Sequence, residues 1–112
     1  MTDRTALEAR WFALTREVLP GMAARHGWPI REDHCFMRVC LDASLGAPWP
    51  SMVRAPAYRN LDDARLAAAV AVAEGIAAAP DTLAALNERS LRARAAWRAA
   101  GGPKAHKSEN LF

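Results

Sequence analysis

The chain has few of the features that mark membrane, secreted or disulfide-rich proteins. Two cysteines among 112 residues, Cys35 and Cys40, are too few for a disulfide framework, and a reducing compartment keeps them as thiols. No apolar run approaches the ~18 residues that a membrane span requires. The N-terminus carries Asp3, Arg4 and Glu8 and lacks the apolar stretch of a signal peptide. We therefore expect a cytoplasmic protein that does not associate with a membrane.

Lysine is almost absent, and the positive charge is unevenly placed. Thirteen of the fifteen basic residues are arginine, and the chain has 26 alanines, a bias typical of high-GC coding. Residues 1–80 hold nine arginines and nine acidic residues, so the whole excess of +3 lies in residues 81–112. Arginine abundance alone is therefore weak evidence for phosphate or nucleic-acid binding.

Large apolar side chains are also limited, because alanine and cysteine account for almost half of the hydrophobic residues. A chain of this length builds one core and no second one. The burial of its larger apolar groups offsets the conformational entropy only narrowly. A homodimer that hides Trp49 or Trp97 is compatible with this composition.

The first helix is predicted to begin at Thr5, since Thr5 and Glu8 have the spacing of a capping box. Its core face repeats at steps of three and four residues: Leu7, Trp11, Leu14 and Val18. The Pro20-Gly21 pair predicts a kink near Leu19. Gly27 predicts a left-handed cap after a further turn or two.

The second helix is predicted from about Glu32 to Gly46, with acidic residues in the turn where the helix dipole favours them. Residues 36–41 are β-branched and aromatic enough for a strand, but the length of the segment favours a helix. Between Gly46 and Asn60, three prolines within nine residues forbid a regular helix. That segment is predicted to be a proline-rich loop.

The third helix is predicted to open at Asn60 and to stop at Pro80, and Asp81 is predicted to cap the fourth. The fourth helix shows a heptad seam: Leu83, Leu86, Ser90, Ala93 and Trp97. The predicted fold class is all-α, a bundle of about four helices over residues 4–100, with a flexible tail at 101–112. The predicted core contains Trp11, Leu14, Phe36, Val39, Val70, Leu83, Leu86 and Trp97.

The second helix carries the candidate site, because it is apolar on two faces and polar on one narrow arc of His34, Arg38 and Asp42. A helix that is apolar on two faces lies centrally, so these polar groups need partners or a ligand. His34 could act as an acid or base, Arg38 could bind a carboxylate or phosphate, and Asp42 could orient either. The wall of such a pocket would come from the proline-rich loop: Trp49, Tyr58 and Arg59. An anionic ligand would suit the two arginines best.

Each candidate residue also has a structural interpretation. Arg38 and Asp42 could form an i,i+4 ion pair beside a capping His34, and Trp49 could close the end of the bundle. The two cysteines are typical small apolar fillers, and His26 and His106 offer no metal-ligand spacing, so no metal and no cofactor are predicted. The arginines of the fourth helix lie on both flanks of its seam, which favours a solvated face over nucleic-acid contact.

The chain resembles a group of short bacterial proteins from high-GC genomes over most of residues 7–95. The resemblance is carried by five segments: Trp28-Pro29, Asp33-His34-Cys35-Phe36, Leu41-Asp42, Pro56-Ala57-Tyr58-Arg59 and Leu86-Asn87-Glu88-Arg89-Ser90-Leu91. Members of that group are often assigned to the GNAT superfamily, which implies N-acetyl transfer from acetyl-CoA to an amine and a mixed sheet. The chain has no Arg/Gln-x-x-Gly-x-Gly/Ala loop for the pyrophosphate, so no catalytic residue is carried over.

Two functions are therefore expected from different classes. No nucleophile lies within reach of a base in the predicted helices, which favours a small binding or interaction module for an anionic ligand or a protein partner. The alternative is a small N-acetyltransferase-like enzyme, as the resemblance implies.

Overall fold

Helices account for most of the computed structural model, which describes residues 3–102. They are α1 Arg4–Ala13, a π-helical turn Leu14–Val18, α2 Leu19–His26, α3 Asp33–Leu45, α4 Ala57–Asn60, α5 Asp63–Ala78 and α6 Leu83–Ala99, with 3-10 turns at Trp49–Ser51 and Pro80–Thr82. No strand occurs within these described residues, so the all-α prediction is confirmed, and residues 36–41 are helical. From residue 103 onward the predicted tail lies outside the described residues.

The first three segments form one rod with a widened turn. Asp3, rather than the predicted Thr5, caps the rod by accepting the Thr5 amide at 3.0 Å, since the helix begins one residue before Thr5. The predicted interruption near Leu19 is the π-helical turn, in which the Leu19 amide bonds to the Leu14 carbonyl. Pro20 has no N–H to give to the preceding turn, and the wider turn accommodates it.

The predicted number of helices was one too low. With α1 to α2 taken as one rod, the described chain has five helical rods, because a short helix, α4, forms inside the proline-rich loop. Asn60 ends α4 instead of opening the next helix. The cap of α5 is Asp62, whose carboxylate accepts the Arg65 amide at 2.8 Å. The turn forms directly after Pro56, the last proline of the loop, so no proline interrupts it.

The central position of α3 is confirmed, since it packs against α2, the π-helical turn, α5 and α6. Six of the eight predicted core residues are buried: Trp11, Leu14, Phe36, Val39, Val70 and Leu83. Leu86 and Trp97 are only half-buried. The reason is that the inward face of α6 is the one that carries Leu83, Asn87 and Ser90, which are buried.

Arg4 fastens the N-terminal rod to the start of α5. Its guanidinium bonds to Glu8 at 3.0 Å, to the Asp63 carboxylate at 2.8 Å and to the Tyr58 carbonyl at 2.6 Å. The hydrogen bond to Asp63 is the main reason why the pKa of Arg4 is raised. The N-terminal rod, α4 and α5 are thus joined on one side of the molecule.

No single helix among residues 3–102 is both long and apolar enough to cross a membrane. Asp63–Ala78 and Pro80–Ala99 meet the length and composition criteria only when counted together, and they are bent by 114° at their break.

Candidate functional site

The buried carboxylate of Asp42 is the centre of a polar cluster between α3 and α6. Asp42 is 4% exposed and accepts four hydrogen bonds. Its Oδ2 accepts from the Ser90 hydroxyl at 2.6 Å and from Arg94 Nε at 2.8 Å. Its Oδ1 accepts from the backbone amide of Trp49 at 2.9 Å and from Arg94 Nη2 at 3.2 Å. The carboxylate is therefore engaged by three residues from two parts of the chain, the proline-rich loop and α6.

Arg38 lies one turn before Asp42 and joins the same network. Its Nη1 donates to the Ser90 hydroxyl and its Nη2 to the Asn87 side-chain oxygen, both at 2.8 Å. Both of these bonds end on neutral oxygens, and the Arg38 guanidinium also interacts with the Cys35 side chain. Burial lowers the pKa of Arg38, and repulsion by Arg94 lowers it further, against opposing contributions from Cys35 and Asp42.

These five residues, Arg38, Asp42, Asn87, Ser90 and Arg94, are called the α3–α6 cluster below. The cluster carries two guanidinium groups and one carboxylate, which leaves one surplus positive charge. The ion pair recorded for Asp42 joins it to Arg94, 52 residues away, rather than to Arg38. Arg38 and Asp42 are instead connected through Ser90, which donates to one and accepts from the other.

His34 stands apart from the cluster, at the exposed start of α3. Its Nε2 lies 3.1 Å from Glu32 Oε2, and its Nδ1 lies 3.6 Å from Asp33 Oδ1. The half-buried Cys35 is adjacent, and the ligand atoms of Glu32, His34 and Cys35 all lie within 4.8 Å of one another. This is the group of described residues that could hold a metal ion.

The loop residues of the predicted pocket separate in the structure. Trp49 is buried and reaches the cluster through its backbone amide. The Tyr58 ring instead packs edge-on against Phe12 of α1, at 4.7 Å between ring centroids. The Arg59 guanidinium lies 5.7 Å from the Tyr58 ring centroid and donates to the Tyr58 hydroxyl at 3.2 Å. The recorded contacts of Tyr58 and Arg59 thus lead to α1 and to each other, not to the cluster.

Two depressions border the cluster. A cavity of about 100 Å³ lies between α3 and α6, with Asp42 and Ser90 as polar lining and Arg89 beside them. A wider groove of about 660 Å³ lies next to it between α5 and α6 and is lined mainly by small or apolar residues. Ala43, Leu86 and Arg89 belong to both. The cluster residues that line the smaller cavity are Asp42 and Ser90, so this edge of the cluster is adjacent to space that solvent or a ligand can enter.

The two cysteines differ in their surroundings. Cys40 is completely buried in the core, and burial raises the pKa of its thiol from 9.0 to about 12. Cys35 is half-buried and interacts with Arg38. The prediction of an apolar filler thus describes the position of Cys40 well, whereas Cys35 faces polar groups.

Sequence reasoning missed the contribution of α6 to this site. Arg94 was interpreted as a solvated flank residue, and Asn87 was not considered. A signal was present, because Leu83, Asn87, Ser90 and Arg94 recur at steps of four, three and four residues. That stripe changes from apolar to polar along one face of α6, and its polar end meets the polar arc of α3.

Comparisons of the chain with protein-family models, with curated proteins and with solved structures find no match.

Proposed function

We propose that the protein is a small binding module that recognises a carboxylate or phosphate group at the α3–α6 cluster. The observation that carries this proposal is the imbalance of charge in a largely buried site. Arg38 and Arg94 face a single carboxylate, and the side chain of Arg94 is only 17% exposed. An anion bound beside the two guanidinium groups would compensate the surplus charge.

The hydrogen-bonding capacity of the two arginines supports the same assignment. A guanidinium group has five N–H donors. Arg38 uses two of its nitrogens on Ser90 and Asn87 and also interacts with Cys35, and Arg94 uses two of its nitrogens on Asp42. The remaining donors suit the oxygens of an anion, which form stronger bonds with guanidinium than neutral acceptors do. A bound anion would also act against the lowering of the Arg38 pKa, which is caused mainly by burial and to a smaller extent by repulsion from Arg94.

Binding fits the cluster better than catalysis does. A general base needs a lone pair that is free to take a proton. The Asp42 carboxylate already accepts four hydrogen bonds, and the exposed His34 lies outside the cluster. The N-acetyltransferase alternative is supported by the resemblance alone. Acetyl transfer to an amine, rather than the binding of acetyl-CoA, is the observation that would favour it, since acetyl-CoA also carries phosphates.

Thermal unfolding in the presence of defined anions tests the proposal. Inorganic phosphate, citrate and acetyl-CoA are each titrated at constant ionic strength, with chloride as the non-specific reference. A ligand at 100 times its Kd stabilises the folded state by about 2.7 kcal/mol. The expected result is an upward shift of Tm with at least one of the three anions and none with chloride.

Two arginine variants separate specific binding from general charge effects. Arg38→Gln removes the guanidinium while leaving the Asp42–Arg94 pair in place, and it should abolish the anion-induced shift. Arg92→Gln removes the same charge from an exposed residue that pairs with Glu88, and it should retain the shift. Circular dichroism of both variants verifies folding. An equal shift in wild type and Arg38→Gln, or no shift with any of the three anions, would contradict the proposal.

A further inference from the structure

A second site is suggested by the three side chains at the start of α3 that offer a carboxylate oxygen, an imidazole nitrogen and a thiol sulfur. Glu32, His34 and Cys35 place these atoms within 4.8 Å of one another. The closest recorded pair is His34 Nε2 and Glu32 Oε2, at 3.1 Å. The side chains of His34 and Glu32 are 53% and 69% exposed, so an ion from solvent can reach them.

We propose that Glu32, His34 and Cys35 bind one divalent transition-metal ion of the zinc class, with the fourth position left for water or an external ligand. This inference does not rest on the proposed anion site, which uses other residues. Thiolate and imidazole ligands select zinc, cobalt and related metals over magnesium and calcium. Three protein ligands with one open position are the arrangement found in zinc sites that bind an exchangeable ligand.

The distances suit a tetrahedral ion. Ligand bonds of about 2.0–2.1 Å for oxygen and nitrogen and about 2.3 Å for sulfur imply separations of roughly 3.3 Å between nitrogen and oxygen, and roughly 3.6 Å from either to sulfur. The observed 3.1 Å between His34 and Glu32 is close to the first value. Because the three ligand atoms lie within 4.8 Å of one another, small side-chain rotations bring the Cys35 sulfur to the separation that a shared metal ion requires.

Asp33 lies beside the imidazole and would orient it in the metal-bound site. Its Oδ1 is fixed by accepting the backbone amide of His34 at 2.7 Å and lies 3.6 Å from His34 Nδ1. Metal-binding histidines commonly direct their second ring nitrogen to a carboxylate, which leaves the other nitrogen for the metal. Here the other nitrogen, Nε2, is the one that faces Glu32.

The local backbone explains why the spacing of these residues did not reveal the group. Side chains at adjacent helical positions diverge by about 100°. Glu32, however, lies outside the helix, with φ −100° and ψ 151°, so its side chain can approach the first turn from the extended segment. A helical-wheel projection of α3 therefore does not include Glu32, the third ligand.

The charge of the donor set matches a divalent ion. When the metal binds, a metal–sulfur bond forms and the thiol proton of Cys35 is released to solvent. The resulting thiolate and the Glu32 carboxylate together balance the two positive charges. This balance is needed because the N-terminus of α3 is positive and Arg38 interacts with Cys35.

Titration of the reduced, tag-free protein with Co²⁺ tests the inference, since a cobalt–thiolate bond produces a charge-transfer band in the near ultraviolet. The band should saturate at one equivalent and disappear on addition of Zn²⁺. Cys35→Ser should abolish the band, while Cys40→Ala, which removes the other thiol, should retain it. Asp33→Asn should weaken Co²⁺ binding by about tenfold or more, as the loss of an orienting carboxylate does elsewhere.

His34→Gln and His26→Gln form a second matched pair, because His26 is also exposed but stacks on Trp28, with 5.6 Å between the ring centroids, and is not one of the three donors. Only the first should reduce the affinity. The inference is overturned if wild type gives no thiolate band with millimolar Co²⁺, if Cys35→Ser keeps the band, or if His26→Gln weakens binding as much as His34→Gln does. The histidine pair keeps the test decisive even if Cys40→Ala does not fold.

Discussion

Replacement of Asp42 by asparagine isolates the electrostatic contribution of the α3–α6 cluster, because the two side chains have nearly the same shape. Asparagine can still accept the Trp49 amide, but it carries no charge and presents an amide NH₂ where the carboxylate accepted donors. The two hydrogen bonds from Arg94, at 2.8 and 3.2 Å, lose their ionic acceptor. Removing one partner of a buried ion pair costs about 3–5 kcal/mol, since the other charge stays buried without compensation.

Urea denaturation with a parallel thermal scan measures this cost. For a domain of this size, about 3–5 kcal/mol corresponds to a decrease in Tm of roughly 12–20 °C. Glu88→Gln is the matched control, because it removes a carboxylate from the exposed Glu88–Arg92 pair, with side chains 63% and 77% exposed. Such a pair contributes about 0–1 kcal/mol.

A double-mutant cycle assigns the effect to the correct partner. Asp42→Asn combined with Arg94→Met should be less destabilising than the sum of the single variants, with a coupling energy of about 1–3 kcal/mol. If Asp42→Asn costs no more than Glu88→Gln, or if the cycle shows no coupling, the cluster is not an electrostatic unit and the reasoning fails.

Three further predictions follow from single residues. Ellman's reagent at pH 8 should titrate one thiol, Cys35, in the native protein and two after unfolding, because the pKa of buried Cys40 is raised to about 12. Between pH 9 and pH 12 the unfolded state binds fewer protons than the folded state, because the Cys40 thiol ionises more readily once it is exposed. The contribution of Cys40 to the free energy of unfolding is fully present below pH 9, and the free energy of unfolding should fall by about 1.4 kcal/mol per pH unit from pH 9 to pH 12. Urea denaturation should show that Gly46→Ala destabilises the folded state by about 1–2 kcal/mol, since the φ angle of Gly46 is +72°. Gly75→Ala inside α5 should instead stabilise it by about 0.5–1 kcal/mol. Changes of the opposite sign would contradict this explanation. Thr15→Val should cost about 0.5–1.5 kcal/mol, because its buried hydroxyl donates to the Trp11 carbonyl at 2.9 Å, a carbonyl that also accepts the Leu14 amide. A neutral result would show that the bond is dispensable.

Local signals predicted much of the helical architecture. The end of α3 at Gly46 follows from a glycine that adopts a left-handed φ of 72°, and Gly27 ends α2 in the same way. The central position of α3 follows from its two apolar faces. The α4 helix was missed because a single turn of four residues leaves no periodicity to detect.

The candidate site was predicted less completely, because its partners are distant in the chain. Burial and polarity on one helix were sufficient to select Arg38 and Asp42. They could not identify Asn87, Ser90 and Arg94, since the choice of inward face on α6 is decided by packing against α3 rather than by the pattern of α6 alone. Tyr58 and Arg59 were assigned to the site only by proximity in sequence, and the structure directs their contacts to α1 and to each other. Their binding role and the homodimer stay predictions.

The hydrogen bond from the Trp49 amide to Asp42 has a consequence for hydrogen exchange. Amides in loops usually exchange quickly because local fluctuations expose them to water. The Trp49 amide is bonded to a carboxylate that is itself held by Ser90 and Arg94, so movement of the Asp42 side chain alone does not expose it. We therefore expect this amide to exchange more slowly than other loop amides, and to exchange faster when α6, a helix more than thirty residues away, separates from α3.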